Sequence, residues 1–297
     1  MAMNEKAHYR YLRPEDILRL KNYEFGARAM VEGYLSGRHR SRQRGASIEF
    51  HEYRQYAPGD DPALVDWRVY ARSDRHYLRT FELETNMECH IFLDSSASMG
   101  FGGTGGAGLS KLDYASFFAA CLAWLVVSKT DRVSLHLFDD KIRSSFPPGS
   151  TRRHLHALLT TLENNRPGNP TALGTALEMA APLIKRKGTL VVLSDFFDDP
   201  ARIFAALNRF LHRGFRVHLF HVLDPREIDL PDVKLSRFVD METGEQLVVH
   251  APAVREAWRE NLRAHQRALR KFASSRQVDY AVAPTSQSYY SLFDRLS

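Results

Sequence analysis

An alternation that begins at residue 89 constrains this chain more than any other feature. Short, unbroken apolar runs, "CHIFLD", "RVSLHLF", "GTLVVLSD" and "FRVHLFHVL", read as buried strands. Helix-length segments separate them. "KLDYASFFAACLAWLVVSK" is apolar on nearly every face and should be well covered. "RRHLHALLTTLE" and "TALGTALEMAAPLIKRK" follow, the second with Pro182 marking a kink or a weak end. "ARIFAALNRFLHRG" carries Gly214 where a C-cap belongs. A hairpin-like "DDKIRSSFPPG" follows the second strand, and an irregular stretch follows the fourth. A long helix, "APAVREAWRENLRAHQRALRKFASS", and a last strand, "QVDYAVAP", close the chain. The expected fold class is α/β, a mostly parallel sheet with helices on both faces.

The chain upstream has a different texture. Residues 14 to 35 read as a helix, with Pro14 in its first turn. Arg38, Arg40, Arg42 and Arg44 crowd a linker, and residues 46 to 83 read as short extended pieces around turns, with "APGDDP" a strong turn signal. The expected division is an N-terminal extension, 1–85, and an α/β domain, 86–297. The extension has little apolar content and is expected to pack on the domain rather than fold alone.

Bulk properties exclude several classes. Hydrophobic residues make up 44% and charged residues 26%, ordinary values for a soluble protein. Cys89 and Cys121 sit in apolar runs without metal-ligand spacing and read as reduced core residues. "MAMNEKAHYRYLRPED" has no apolar core and so is not a secretory signal. The longest apolar run, "FFAACLAWLVV", is too short for a bilayer, which takes ~20 residues. A cytoplasmic location and no membrane span are therefore expected. The net charge of +6 allows anionic partners.

In parallel sheets of this kind, ligands bind beyond the carboxyl ends of the strands. There, "IFLDSSASMGFGG" places Asp94, Ser96 and Ser98 after the first strand, Thr171 opens a helix in "RPGNPTALG", and Asp195 follows "TLVVLS". Two carboxylates and three hydroxyls are hard oxygen donors, with no histidine or thiol beside them. Such a set suits Mg2+ or Mn2+ with waters completing the shell.

Rival chemistries fit less well. Gly100, Gly102 and Gly105 spell a dinucleotide fingerprint, with Asp139 at the next strand end. That fingerprint needs its first glycine in the turn at the strand end, and here Asp94 to Met99 intervene. An aspartyl nucleophile at Asp94 lacks a second aspartate two positions on, where Ser96 stands. A serine hydrolase lacks its nucleophile elbow. Taken alone, Asp94 and Ser96 read as a capped turn. Asp60 and Asp61 read as turn residues rather than ligands, and Asp66 as the partner of a nearby arginine. Arg255, Arg259, Arg263 and Arg267, spaced by four with Arg270 close by, form a helix ridge in which Glu256 and Glu260 can pair with Arg259 and Arg263. A solvated face explains that ridge, and no recognised nucleic-acid motif accompanies it.

Together, the D-x-S-x-S motif, the later threonine and the later aspartate resemble the metal-ion-dependent adhesion site of von Willebrand factor type A domains. Asp94, Ser96, Ser98, Thr171 and Asp195 match its five positions, and the similar stretch covers about residues 86 to 284. Upstream, Glu49, Phe50, Tyr56, Pro58, Gly59, Asp60, Asp61, Asp66 and Trp67 resemble the signature of the bacterial family called "domain of unknown function 58". The resemblance implies a von Willebrand factor type A-like, Rossmann-type sheet behind a family-specific extension. It implies a non-enzymatic adaptor that holds Mg2+ or Mn2+, accepts an Asp or Glu from a partner, and works with a MoxR-type AAA+ ATPase in complex assembly or chaperoning. The alternatives are a metal-dependent phosphate-ester hydrolase, and a nucleic-acid binder acting through its arginine clusters. Nucleic acid is not the expected partner.

Overall fold

The structure is a computed structural model that describes residues 9–21, 48–56, 65–73, 75–83, 87–103, 108–230 and 235–296. Its contacts divide the chain into two compact units, 1–35 with 87–297, and 36–86.

The larger unit is built on a six-stranded sheet. The strands are β3 (Glu88–Asp94), β4 (Arg132–Phe138), β5 (Ile142–Gly149), β6 (Thr189–Ser194), β7 (Arg216–Leu223) and β10 (Asp279–Pro284), in the order β10-β7-β6-β3-β4-β5. Only β5 runs antiparallel, joined to β4 by a short turn. The expected α/β class and mostly parallel sheet are both found.

Side-chain alternation along the strands explains the layers. Ile91, Leu93, Val191 and Leu193 face one cluster, whereas Phe92 and Val192 face the other. Over the first face lie α1 (Pro14–Lys21), α3 (Lys111–Ser128) and α4 (Arg152–Asn164). Over the second lie α5 (Leu173–Ala180), α6 (Pro200–His212) and α8 (Ala251–Ser274). Helix α3 runs through the first cluster with nearly every side chain buried. By length and composition it is apolar enough to cross a membrane, but here the sheet and its neighbouring helices cover it. Cys89 and Cys121 are free and buried.

Helix α1 docks through polar contacts as well as apolar ones. Buried Asp16 accepts hydrogen bonds from Tyr289, at 2.8 Å, and from Tyr290. Two glycines matter for the backbone. Gly214 ends α6 at φ +79°, the C-cap expected from the sequence. A Cβ on Gly188 would stand 2.0 Å from the Glu88 carbonyl oxygen, so only glycine lets β6 begin beside β3.

Some elements differ from expectation. Helix α5 stops at Ala180, because Pro182 has no amide hydrogen with which to continue the helical ladder. Thr171 lies two residues before α5 rather than in its first turn. The stretch after β7, expected to be irregular, contains the short helix α7 (Pro225–Ile228) and a hairpin of β8 (Ser236–Val239) and β9 (Gln246–Val249).

The smaller unit pairs β1 (Ile48–Gln55) antiparallel with β2 (Tyr77–Leu83). Between them is α2 (Trp67–Ser73), a helix not expected from the sequence. Asp66 caps it, accepting from the Arg68 amide at 2.9 Å and the Val69 amide at 3.4 Å. The first helix is described only to Lys21, and Arg38 to Arg44, Pro58, Gly59, Asp60 and Asp61 lie outside the described residues.

Candidate functional site

The chain leaves β3 toward β4 on one side and later returns to β6 on the other, so the strand order reverses at the β3–β6 boundary. A crevice opens at such a switch point, beyond the carboxyl ends of both strands. Asp94 is the last residue of β3, and Asp195 follows the last residue of β6.

Asp94 is wholly buried and fully engaged by neutral donors. Its Oδ2 accepts from Ser194 Oγ at 2.6 Å and Thr171 Oγ1 at 3.1 Å, and its Oδ1 accepts from the Ser96 amide at 2.9 Å. Ser96 Oγ and Ser98 Oγ lie 3.1 Å apart. The Ser98 hydroxyl lies near the Asp195 carboxylate, so the five residues singled out from the sequence gather at one end of the sheet. The Thr171 loop is pinned from below. Ala97 donates to the Asn169 carbonyl at 3.1 Å, Gly168 to the Ser95 carbonyl at 2.8 Å, and Ala172 to the Asp139 carbonyl at 2.9 Å. The Asp139 carboxylate accepts from the Asn169 amide at 3.3 Å. Asp139 therefore orders this loop, and is not free to act as the ribose acid of the dinucleotide alternative.

Four participants were missed by sequence reasoning. Ser194 is one. Lys111, at the start of α3, is wholly buried and donates to Asp195 Oδ2 at 2.8 Å and Glu227 Oε1 at 2.6 Å. Glu227 comes from α7. Glu242, from the β8–β9 turn, accepts from the Thr171 amide at 3.2 Å and lies near Ser98. Lys111 did carry a signal: a lysine in the first turn of a helix opposes the helix dipole and needs another reason to be there.

The charges do not balance. One ammonium faces four carboxylates, on Asp94, Asp195, Glu227 and Glu242. Burial opposes ionisation of Asp195, but the adjacent Lys111 ammonium outweighs it and holds this carboxyl below its ordinary range. Burial likewise opposes the charge on Lys111, yet its two carboxylate partners raise it above the usual lysine value. Asp94 has no such partner, since no Lys, Arg or His pairs with it among the described residues. Burial, aided by the Asp195 charge, pushes it up to about 7. Burial also raises Glu242.

Among the described residues, no group of three or more His, Cys, Asp or Glu side chains forms a metal cage. A cation here would depend on the hydroxyls. The donor set fits a hard divalent ion: a buried carboxylate without a positive partner, convergent hydroxyl oxygens, and surplus negative charge.

The arginine ridge of α8 is not a uniform solvated face. Arg255 grips Asp229 through Nε and Nη2, both at 2.6 Å, and Arg259 Nη2 reaches the same carboxylate at 2.7 Å. Arg259 also lies 3.7 Å from Glu256, as expected, whereas Glu260 pairs with Arg267 at 2.6 Å.

A family model described as "Protein of unknown function DUF58" matches residues 52–268. The uncharacterized protein Rv1480 of Mycobacterium tuberculosis is 30% identical over 234 residues, covering 76% of this chain and 70% of that protein. Similar solved structures include an aerotolerance-related membrane protein from Bacteroides fragilis, at 20% identity and TM-score 0.49, covering 71% of this chain and 96% of that one. The SpRpn10 VWA domain is similar at 12% identity and TM-score 0.40, covering 70% of this chain and 94% of that one. The sheet is the mostly parallel α/β sheet expected from the sequence. The cytoplasmic location is corrected. A similar structure is described as that of a membrane protein, and the lack of an apolar leader does not fix where a chain of this fold works.

Proposed function

This chain belongs to the protein family of unknown function DUF58, and we propose that it is a non-enzymatic, metal-dependent protein-interaction module working at the β3–β6 crevice. One observation carries the reading. Among the described residues, Asp94 is a fully buried carboxylate held by hydroxyls and an amide, while the one ammonium nearby is already paired with Asp195 and Glu227.

Asp94, Ser96, Ser98, Thr171 and Asp195 would hold Mg2+ or Mn2+, directly or through water. A divalent cation bound there supplies positive charge and a coordination position for a carboxylate from another protein. The two aspartates offset that charge, whereas Ser96, Ser98 and Thr171 add oxygens without adding charge. The chain therefore keeps affinity in reserve for an incoming Asp or Glu. The loop contacts of Asn169 and Asp139 hold Thr171 in place, so the donors are organised before any partner arrives. The partner proposed, by family resemblance, is a MoxR-type AAA+ ATPase acting in complex assembly or chaperoning.

A calorimetric Mg2+ titration of the wild type beside Asp94→Ala tests this. Saturable binding to the wild type and none to the variant is expected, and equal affinity in both would sink the proposal. Turnover of a generic phosphoester with Mg2+, abolished in Asp94→Asn, would instead favour a hydrolase.

A further inference from the structure

The hairpin of β8 and β9 crosses the site and leaves a carboxylate in it. Glu242 sits in the connecting turn, and its Oε1 accepts from the Thr171 amide at 3.2 Å. Its carboxylate also lies near the Ser98 hydroxyl. Thr171 and Ser98 both belong to the candidate metal set. The preceding residue has a second seat. A Cβ built on Gly100 would meet Pro167 Cγ at 2.9 Å and Met241 Cε at 3.5 Å, so the Met241 side chain, still 43% exposed, lies beside Gly100 and Pro167.

The turn itself is locally closed. The Asp240 carboxylate accepts from the Glu242 amide at 2.8 Å and the Thr243 amide at 3.0 Å, and Gly244 completes the turn at φ +74°. Met241 and Glu242 are thus presented as a fixed pair on the end of a lever. The rest of that lever is exposed: Val239, Leu247 and Val248 are each about half open to solvent or more.

We propose that the Met241–Glu242 pair is an internal stand-in for the partner. The docking surface then has two seats, one for a carboxylate at Thr171 and Ser98, and one for an apolar side chain on Gly100 and Pro167. It fits a protein segment in which an apolar residue immediately precedes a glutamate or aspartate, carried on a turn. Such a segment enters by displacing the hairpin, which releases as a unit because its own turn stays closed. The proposal rests on the reading of the crevice as a carboxylate receptor.

The first test uses hydrogen exchange over residues 236–249 in the full chain. Glu242→Ala should speed exchange there about 2- to 10-fold, the range that one hydrogen bond supplies. Unchanged exchange overturns the proposal. The second test uses a labelled peptide with the sequence of residues 238–245, added with Mg2+ to the wild type and to a Met241→Ala, Glu242→Ala variant. Tighter binding to the variant is expected, lost when the peptide's glutamate at the position of Glu242 becomes alanine. Equal binding to both proteins, no binding to either, or binding indifferent to that glutamate overturns it. If Mg2+ fails to bind the wild type while exchange still responds to Glu242→Ala, the hairpin contact stands and the metal reading falls.

Discussion

The Lys111 ammonium lies 2.8 Å from the Asp195 carboxylate, and neither side chain is exposed to solvent. One Asp195 oxygen is thus already committed to a fixed internal cation. Among the described residues, the other, Oδ1, is hydrogen-bonded just by the Phe197 amide, at 3.5 Å. Lys111 also ties α3 to α7 through Glu227, and so fixes the walls of the crevice as well as its charge. Lys111→Met should destabilise the protein by about 3–5 kcal/mol, because it strands buried carboxylates without their partner. Adding Asp195→Asn should restore part of the loss. Urea denaturation of the two variants checks this, and a double variant no better than the single one would count against it.

Gly188→Ala should cost about 3 kcal/mol, since its Cβ would meet the Glu88 carbonyl oxygen, a backbone atom that cannot move without shifting the central strand. Thermal denaturation gives the answer. A near-neutral result would mean that β6 can start further from β3 than the structure places it.

Stability should fall as the solution is acidified below pH 6.5, in part through His136. Burial lowers this imidazole from 6.5 to about 4. Above pH 6.5 it is neutral in both folded and unfolded chains and its contribution is complete. Between 6.5 and about 4 the unfolded chain takes up the proton first, so stability is lost at about 1 kcal/mol per pH unit. Asp131 acts in the opposite direction, because burial raises it from 3.8 to about 6. The wild-type profile therefore mixes the two, and comparison with His136→Gln isolates the histidine. Urea midpoints measured from pH 4 to 7 should show a flatter acid limb in the variant.

Asp229 neutralises two guanidiniums of the α8 ridge. Asp229→Ala should remove one carboxylate from beside Arg255 and Arg259, tighten non-specific binding to duplex DNA, and steepen its salt dependence by up to about 0.9 log units per extra phosphate contact. A binding isotherm at several salt concentrations reads this directly. Tight DNA binding by the wild type, unchanged in the variant, would revive the nucleic-acid alternative.

The sheet was legible because its strands are buried on both faces and leave unbroken apolar runs such as "HIFL" and "LVVL". Asp94, Ser96, Ser98 and Asp195 were legible because they follow those runs, and Thr171 because it stands just before a helix. What closes around them was not. Lys111 stood out only as a lysine placed against the helix dipole, and its burial and its two carboxylate partners appear only in the fold. Glu242 sits in a short polar turn whose sequence has no periodicity to read. The pairing of Arg255 and Arg259 with Asp229 joins a regular helix to a stretch without pattern, so only tertiary structure could reveal it. Helix α2 is too short for its periodicity to outweigh the turn residues around it.

The two aspartates at the crevice stand at the ends of adjacent strands, β3 and β6, held in parallel register by backbone hydrogen bonds. Neighbouring strands lie about 4.8 Å apart wherever they occur. The gauge of the crevice is therefore inherited from the peptide backbone and is largely indifferent to side-chain drift. Substitutions in the α7 segment or the β8–β9 hairpin can change what is admitted, while the width between the two carboxylate posts stays as the sheet made it.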